Sequence, residues 1–268
     1  MSIAERRVMQ HNVTYTFLFA AAICIVCGIM VSTSAVTLAD RQEQNATLDK
    51  MKNVLTVSGL AAQGEKLSAD DVRQRFENIK AMAINLETGE ANEEIDTETY
   101  DQRAAAADPE MGHAVEPNTA SIKRLPNHVV VYEIRDESGN PKMLVLPIQG
   151  YGLWSTLYGF LAIDMDLNTV RGISYYEHGE TAGLGGEVDN PRWKALWPGR
   201  KLYDENGEVA LKVIKGSAGP ADSNPFQVDG LSGATLTANG VKYMVDFWFS
   251  GSGYGPFLKK YAESHKAS

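Results

Sequence analysis

Cysteine is almost missing from this chain. Its two cysteines, Cys24 and Cys27, lie in an apolar N-terminal run, and everything after them has none. That larger part can sit in an oxidising compartment without disulfides, and it offers no thiolate to a metal or a substrate. Clustered positive charge is missing too. Lys and Arg never occur in runs longer than a pair, and the formal net charge is −9. A phosphate backbone wants a basic face, so nucleic-acid binding is a poor expectation. The five histidines are scattered, with no metal-like spacing. There is no Gly-x-Ser-x-Gly elbow and no phosphate-binding P-loop. Asp164-Met165-Asp166-Leu167-Asn168 opens like a calcium loop. Its sixth position is Thr169 instead of Gly and its twelfth is Tyr175 instead of Glu, so it reads as a turn.

Hydrophobic residues are 44% of the 268 and charged residues 22%, enough for an anchor plus one sizeable domain or two small ones. From Asn12 to Ala39 there is no charge, and Tyr15 to Val31 is almost wholly apolar. A helix of roughly 20 residues crosses the ~30 Å hydrocarbon layer, so a membrane span over residues 12–39 is expected. Arg6 and Arg7 precede it, and Asp40, Arg41 and Glu43 follow. The positive-inside bias puts residues 1–11 in the cytoplasm and the main domain outside. A cleaved signal peptide ending at Thr37-Leu38-Ala39 is the rival reading; the run is long for one. Ile23 and Val26 stand where a lipoprotein site wants a small residue. Cys24 and Cys27 spell CxxC, but within such a helix they read as small apolar fillers. Asn45-Ala46-Thr47 matches a glycosylation acceptor, a triplet that arises easily by chance.

Beyond the span, Leu48 to Leu60 reads as a helix ended by Gly59 or Gly64. Ser68 to Ala83 reads as a second helix, with Ser68 as N-cap and Val72, Phe76, Ile79 and Ala83 as its buried stripe. Leu86 to Asn118 is polar and acidic, a solvated linker or lobe. Two hairpins follow, one turning at Gly139-Asn140-Pro141 and one at Asp166-Leu167-Asn168. Pro191 to Leu202 suggests a short helix, and Glu208 to Gly216 a strand. The expected fold class is α+β: one N-terminal transmembrane helix, then a domain with an antiparallel sheet and flanking helices.

Two stretches can hold a ligand. DGLSGATLT (Asp229–Thr237) precedes Val241, Met244, Val245 and Trp248, which recur at helical spacing. A helix therefore starts near Ala234 to Leu236, and its free N–H groups point back at Ser232 to Thr235. Such an end attracts an anion by hydrogen bonding and by dipole, and Gly230 and Gly233 allow close approach. Ordinary capping by Ser232 or Thr235 is the plainer alternative. HGETAGLGGEVDNPRW (His178–Trp193) packs four glycines into eight residues after a strand. It is either a mobile surface loop or a backbone lying flat on a planar ligand, with Leu184 touching it and Glu180 or Thr181 bonding its polar edge. Trp154 and Tyr151, in GYGLWSTLYG, either line that pocket or belong to the core.

HGETAGLG and DGLSGATLT together, behind one N-terminal span, resemble the FMN-binding domain of the C subunit of the bacterial sodium-translocating NADH:quinone oxidoreductase. The likeness covers nearly the whole chain. Asp-Gly-x-Ser-Gly-Ala-Thr resembles the flavinylation signature, which implies FMN joined through its phosphate to Thr235. The family's loop usually reads Glu-Thr-Pro-Gly-Leu-Gly. Glu180, Thr181, Gly183, Leu184 and Gly185 match it, with Ala182 in place of Pro. The resemblance implies a cofactor site of Thr235, Ser232, Gly233, Ala234, Glu180, Thr181, Gly183, Leu184, Gly185, Trp154 and Asp229, with no catalytic acid–base pair and no metal ligand. It implies a Mg-dependent flavin transferase for maturation, with Asp229 helping to present the motif. It also implies partner subunits in the bacterial inner membrane, and one-electron transfer within NADH oxidation and ubiquinone reduction coupled to sodium export. On this reading residues 40–120 form a helical and polar connecting region and 121–260 the FMN-binding domain. The rivals are the paralogous G subunit of the Rnf-type ferredoxin:NAD oxidoreductase and a non-redox anchored binding or scaffold module.

Overall fold

The computed structural model describes residues 13–266, which fall into two compact units divided between Thr47 and Leu48. The cytoplasmic N-terminus expected at residues 1–11, with Arg6 and Arg7, lies outside the described residues. Helix α1 (Val13–Val57) is 45 residues long. Its stretch Val13–Ala39 is long and apolar enough to cross a membrane, with a mean hydropathy of 2.3, and none of that stretch is buried in protein. No glycine or proline interrupts the chain between Ile29 and Val57, so the helix expected from Leu48 is the continuation of the span and not a separate element. It ends before Gly59, whose φ of 74° suits glycine.

In the unit that begins at Leu48, α2 (Ala69–Phe76) starts at a complete capping box: Ser68 accepts from the Asp71 N–H, and Asp71 accepts from the Ser68 N–H. The helix expected to reach Ala83 stops at Phe76. Ile79–Asn85 is instead strand β1, paired antiparallel with β4 (His128–Arg135) along its whole length. Val72, Phe76, Ile79 and Ala83 do keep helical spacing, but a free sheet edge takes the second half of that pattern.

The acidic stretch is an ordered lobe more than a linker. It holds α3 (Gln102–Ala107), capped by Asp101, and β2 (Gly112–Ala114), which pairs with β3 (Arg124–Pro126). Arg124 ties it down by donating to the carbonyls of Ala106, Asp108 and Gly112. Most of its carboxylates face solvent, as charge alone requires.

Strands β4, β5 (Pro141–Tyr151), β6 (Thr156–Asp164) and β7 (Val170–Glu177) form the expected pair of hairpins as one antiparallel meander, with sheet order β1-β4-β5-β6-β7. The β6–β7 turn is closed by the Asp166 carboxylate, which accepts from the Asn168 and Thr169 amides and pairs with Lys201 at 3.0 Å. Asp164 pairs with Arg171 at 3.3 Å and the Asn168 side chain bonds the Tyr203 backbone, so the protein itself occupies all three calcium-like side chains.

Alternate residues of the sheet point to opposite faces. On one face Met143, Val145, Phe160 and Ala162 pack with Val54, Leu55 and Val72 from α1 and α2. On the other, Leu144, Leu146, Ile148, Leu157 and Leu161 pack under α5 (Thr235–Trp248) and α6 (Gly255–Lys266). A 3₁₀ turn (Gly185–Asp189) and the short α4 (Pro191–Lys194) follow β7. The strand expected around Lys212 shrinks to β8 (Lys212–Val213), paired in parallel with β9 (Gln227–Val228). α5 lies so close to the end of β5 that a Cβ at Gly240 would sit 2.4 Å from the Tyr151 carbonyl. That contact sets the height of the helix over the sheet.

Candidate functional site: the first turn of α5 and the loops around it

The first turn of α5 is where the two glycine-rich stretches meet. Ala234 occupies the cap position and no side chain caps the helix. Neither Ser232 nor Thr235 performs the ordinary capping role that the sequence left open. Thr235 is the first helical residue and is exposed; Ser232, Gly233 and Leu236 are exposed beside it, while Ala234 is buried. The first N–H groups of a helix have no partner within it. Here they open next to a solvent-facing hydroxyl at the positive end of the dipole.

Gly233 has φ 74°, and a Cβ there would approach Leu184 Cδ2 to 3.2 Å. Leu184 of the glycine-rich loop thus leans on the DGLSGATLT motif. It is 46% exposed, Trp154 67% and Leu236 59%; with Tyr151 and Leu153 they make up most of the exposed large apolar side chains after Thr47 among the described residues. Water-facing apolar side chains gathered around an uncapped helix end suit a planar aromatic ligand with an anionic tail.

The loop itself is built by a turn. The Thr181 carbonyl accepts from the Leu184 and Gly186 N–H groups at 3.1 and 2.9 Å. Gly183 carries φ 74° while Ala182 does not lie at positive φ. That is the type II pattern, with Ala182 at the position where proline fits best. The departure at residue 182 leaves the turn in place.

Glu180 is not a solvent-facing hydrogen-bonder. It is 8% exposed. Its Oε1 accepts the N–H groups of Leu153, Trp154 and Ser155 at 3.0, 2.9 and 3.2 Å. Its Oε2 accepts the Thr237 hydroxyl at 2.6 Å. Burial pushes this carboxyl up, but the Thr237 hydroxyl and the three amides outweigh it and hold it below the usual carboxylate range. Thr181 and Gly183 are exposed, and Gly185 is buried against Glu180 and Thr237.

Asp229 is also occupied by the protein. Its carboxylate accepts from the Ser217 hydroxyl and the Ala218 N–H, and its carbonyl accepts from Trp193 Nε1. His178, at the loop's start, pairs Nε2 with Asp189 at 2.9 Å, and its Nδ1 accepts the Glu180 N–H at 3.3 Å. No group of three or more His, Cys, Asp or Glu that could hold a metal occurs among the described residues. The sequence gives no sign that Thr237 sits at the centre of this site, nor that Gly152, Ser155, His178 and Asp189 support the loop that carries Glu180. Thr237 stands two residues from Thr235 in the motif, which is a signal of proximity; nothing in the sequence links it to Glu180.

The FMN-binding domain family matches residues 152–250, a span that contains every site residue named above except Tyr151. The C subunit of the Na(+)-translocating NADH-quinone reductase of Pseudomonas aeruginosa is 44% identical over 253 residues, covering 93% of this chain and 96% of that protein. The protein of the same name from Vibrio alginolyticus is 47% identical over 239 residues, covering 88% and 90%. The chain belongs to the family of C subunits of this reductase. Solved relatives agree. The crystal structure of Shewanella oneidensis NqrC matches with a TM-score of 0.72 and 35% identity, covering 82% of this chain and 99% of that one. The C subunit from Parabacteroides distasonis matches with a TM-score of 0.62 and 28% identity, covering 82% and 96%. A member of this family is one part of an oxidoreductase complex that transfers electrons, and its FMN-binding domain makes it a flavoprotein. The apolar stretch of α1 fits a membrane anchor in such a complex.

Proposed function

We propose that this protein carries FMN covalently, joined through its phosphate to Thr235 Oγ1. The observation that supports the reading most is the contrast between the motif's two helical threonines. Thr237 is fully buried and bonded to Glu180, whereas Thr235 is exposed at an uncapped helix end. In maturation a Mg-dependent flavin transferase uses FAD. The Thr235 oxygen bonds to the flavin-side phosphorus, the pyrophosphate bond breaks, AMP leaves, and the hydroxyl proton is released. The phosphodiester that remains is an anion, which suits the amides of Thr235 to Thr237 and the helix dipole. Leu184, Leu236 and Trp154 give the ring apolar surfaces, and Ser232 and Gly233 line the approach to the phosphate. Thr181, Gly183 and Gly185 shape the loop that presents Leu184. Ala234 fills the buried cap position, and Asp229 holds the start of the motif on Ser217 and Ala218.

The bound flavin supplies one-electron chemistry; the protein supplies position and electrostatics. The domain works between redox partners on neighbouring subunits, in a complex that oxidises NADH, reduces ubiquinone and exports sodium. Residues 12–39 anchor it in the bacterial inner membrane, with the N-terminus cytoplasmic and residues 40–260 on the far side, the last part (121–260) being the flavin domain.

A denaturing gel under ultraviolet light tests the attachment, with the protein exported and made beside its transferase. Yellow fluorescence is expected to survive denaturation in the parent and in Ser232→Ala, and to vanish in Thr235→Ala. An intact mass equal to the bare polypeptide in matured protein would overturn the reading.

A further inference from the structure

Three segments far apart in sequence converge on one carboxylate. Glu180 belongs to the glycine-rich loop, Leu153 to Ser155 to the turn between β5 and β6, and Thr237 to α5. The convergence is tight. A Cβ at Gly152 would lie 2.6 Å from Glu180 Oε1, and one at Gly185 would lie 2.5 Å from both Glu180 Oε2 and Thr237 Oγ1. Ser155 adds a second tie, accepting the Gly179 N–H on its Oγ at 2.6 Å. Three consecutive amides converging on one oxygen make an anion nest. The protein fills that nest with its own side chain and leaves the end of α5 open.

The position of Thr237 gives this a consequence for Thr235. Residues two apart on an α-helix differ by about 200° around its axis. Drawing the Thr237 hydroxyl inward onto Glu180 therefore turns Thr235 outward. The same carboxylate holds the Trp154 backbone, and Leu184 stands one residue before the contact at Gly185. We propose that Glu180 is the positioning residue of the flavin site: through Thr237 and the amides of residues 153–155 it sets Thr235, Leu184 and Trp154 in the arrangement from which the Thr235 hydroxyl is labelled. This rests on the reading of Thr235 as the attachment point.

The test uses the full chain, purified without flavin, in three variants: Thr237→Val keeps the shape and removes the hydroxyl, Thr237→Ser keeps the hydroxyl, and Glu180→Gln removes the charge. One arm follows labelling by FAD, Mg²⁺ and purified flavin transferase as gel fluorescence over time. The other follows hydrogen exchange of the Leu153, Trp154 and Ser155 amides in unlabelled protein. Thr237→Val is expected to label roughly tenfold or more slowly, because a small misplacement of a reacting group costs rate steeply. The loss should fall on the maximal rate and not on the FAD concentration needed, and Thr237→Ser should recover most of it. Exchange at residues 153–155 should speed up in Glu180→Gln. Parental labelling in Thr237→Val, or equal slowing in Thr237→Ser, would overturn the positioning role. So would unchanged exchange in Glu180→Gln. If Thr237→Val does not fold, Glu180→Gln decides: slower labelling with faster exchange at residues 153–155 supports the role, and a parental value of either overturns it. A parent that never labels would instead overturn the covalent attachment, whatever the amides do.

Discussion

The two ends of α5 are built in opposite ways. Its last turns are locked. Trp248 is 2% exposed and donates its Nε1–H to the Gln149 carbonyl, and Tyr254 stacks on it and donates to the Pro147 carbonyl. Its first turn is open, with no cap, an exposed Thr235 and an exposed Leu236. One helix thus serves as foundation at one end and as ligand site at the other. An uncapped N-terminus sacrifices about 1 kcal/mol that a good cap would give. Burial along the rest of the helix outweighs that, so the open end is tolerated.

The comparison breaks first at Thr235. Thr235→Ala should remove all covalent flavin fluorescence while changing stability by no more than about 0.5 kcal/mol, since the side chain is exposed and makes no cap. Gel fluorescence and a denaturant titration read the two quantities, and a large stability loss would mean that the open end is structural after all. At the other end, Trp248→Ala should cost about 3–5 kcal/mol, the usual range for truncating a buried aromatic. A cost under about 1 kcal/mol in urea unfolding would show that this end is no foundation.

Acid sharpens the contrast, because the hydrogen bonds around Glu180 hold the loops under the open end. Its folded pKa is depressed below the unfolded value. Its contribution is therefore present above the ordinary Glu value of about 4.3 and is lost as pH falls through the lower folded value. The melting temperature of unlabelled protein should drop over that acid window and drop less in Glu180→Gln; parallel curves would contradict it. The smallest effect is expected at residue 182. Ala182→Pro matches the turn's backbone and should add about 0.4–1 kcal/mol by restricting the unfolded chain. A loss of stability in that variant would mean that the turn is not the one described.

Legibility followed the range of the interactions. The meander, the apolar span and the start of α5 could be read because each rests on neighbours in sequence: alternation, a charge-free run, a 3.6-residue period. The helix expected to run on to Ala83 failed because Ile79 and Ala83 satisfy two periods at once, and the edge of β4 decided between them. Of the site, the exposed threonine motif and the glycine-rich loop were visible as types of residue. A carboxylate in a glycine-rich loop reads as a ligand contact, and only the folded chain shows that Glu180 meets four donors of the protein itself.

By itself the sequence determined that one long apolar helix precedes an α+β domain, and that a hydroxyl-rich motif opens the helix ending at Trp248. Both follow from short-range pattern and need no knowledge of distant partners. Tertiary structure alone decided which group the inward-facing threonine bonds. That group is Glu180, 57 residues before Thr237, and a hydrogen bond between residues so far apart exists only once the sheet has brought its loop against the helix.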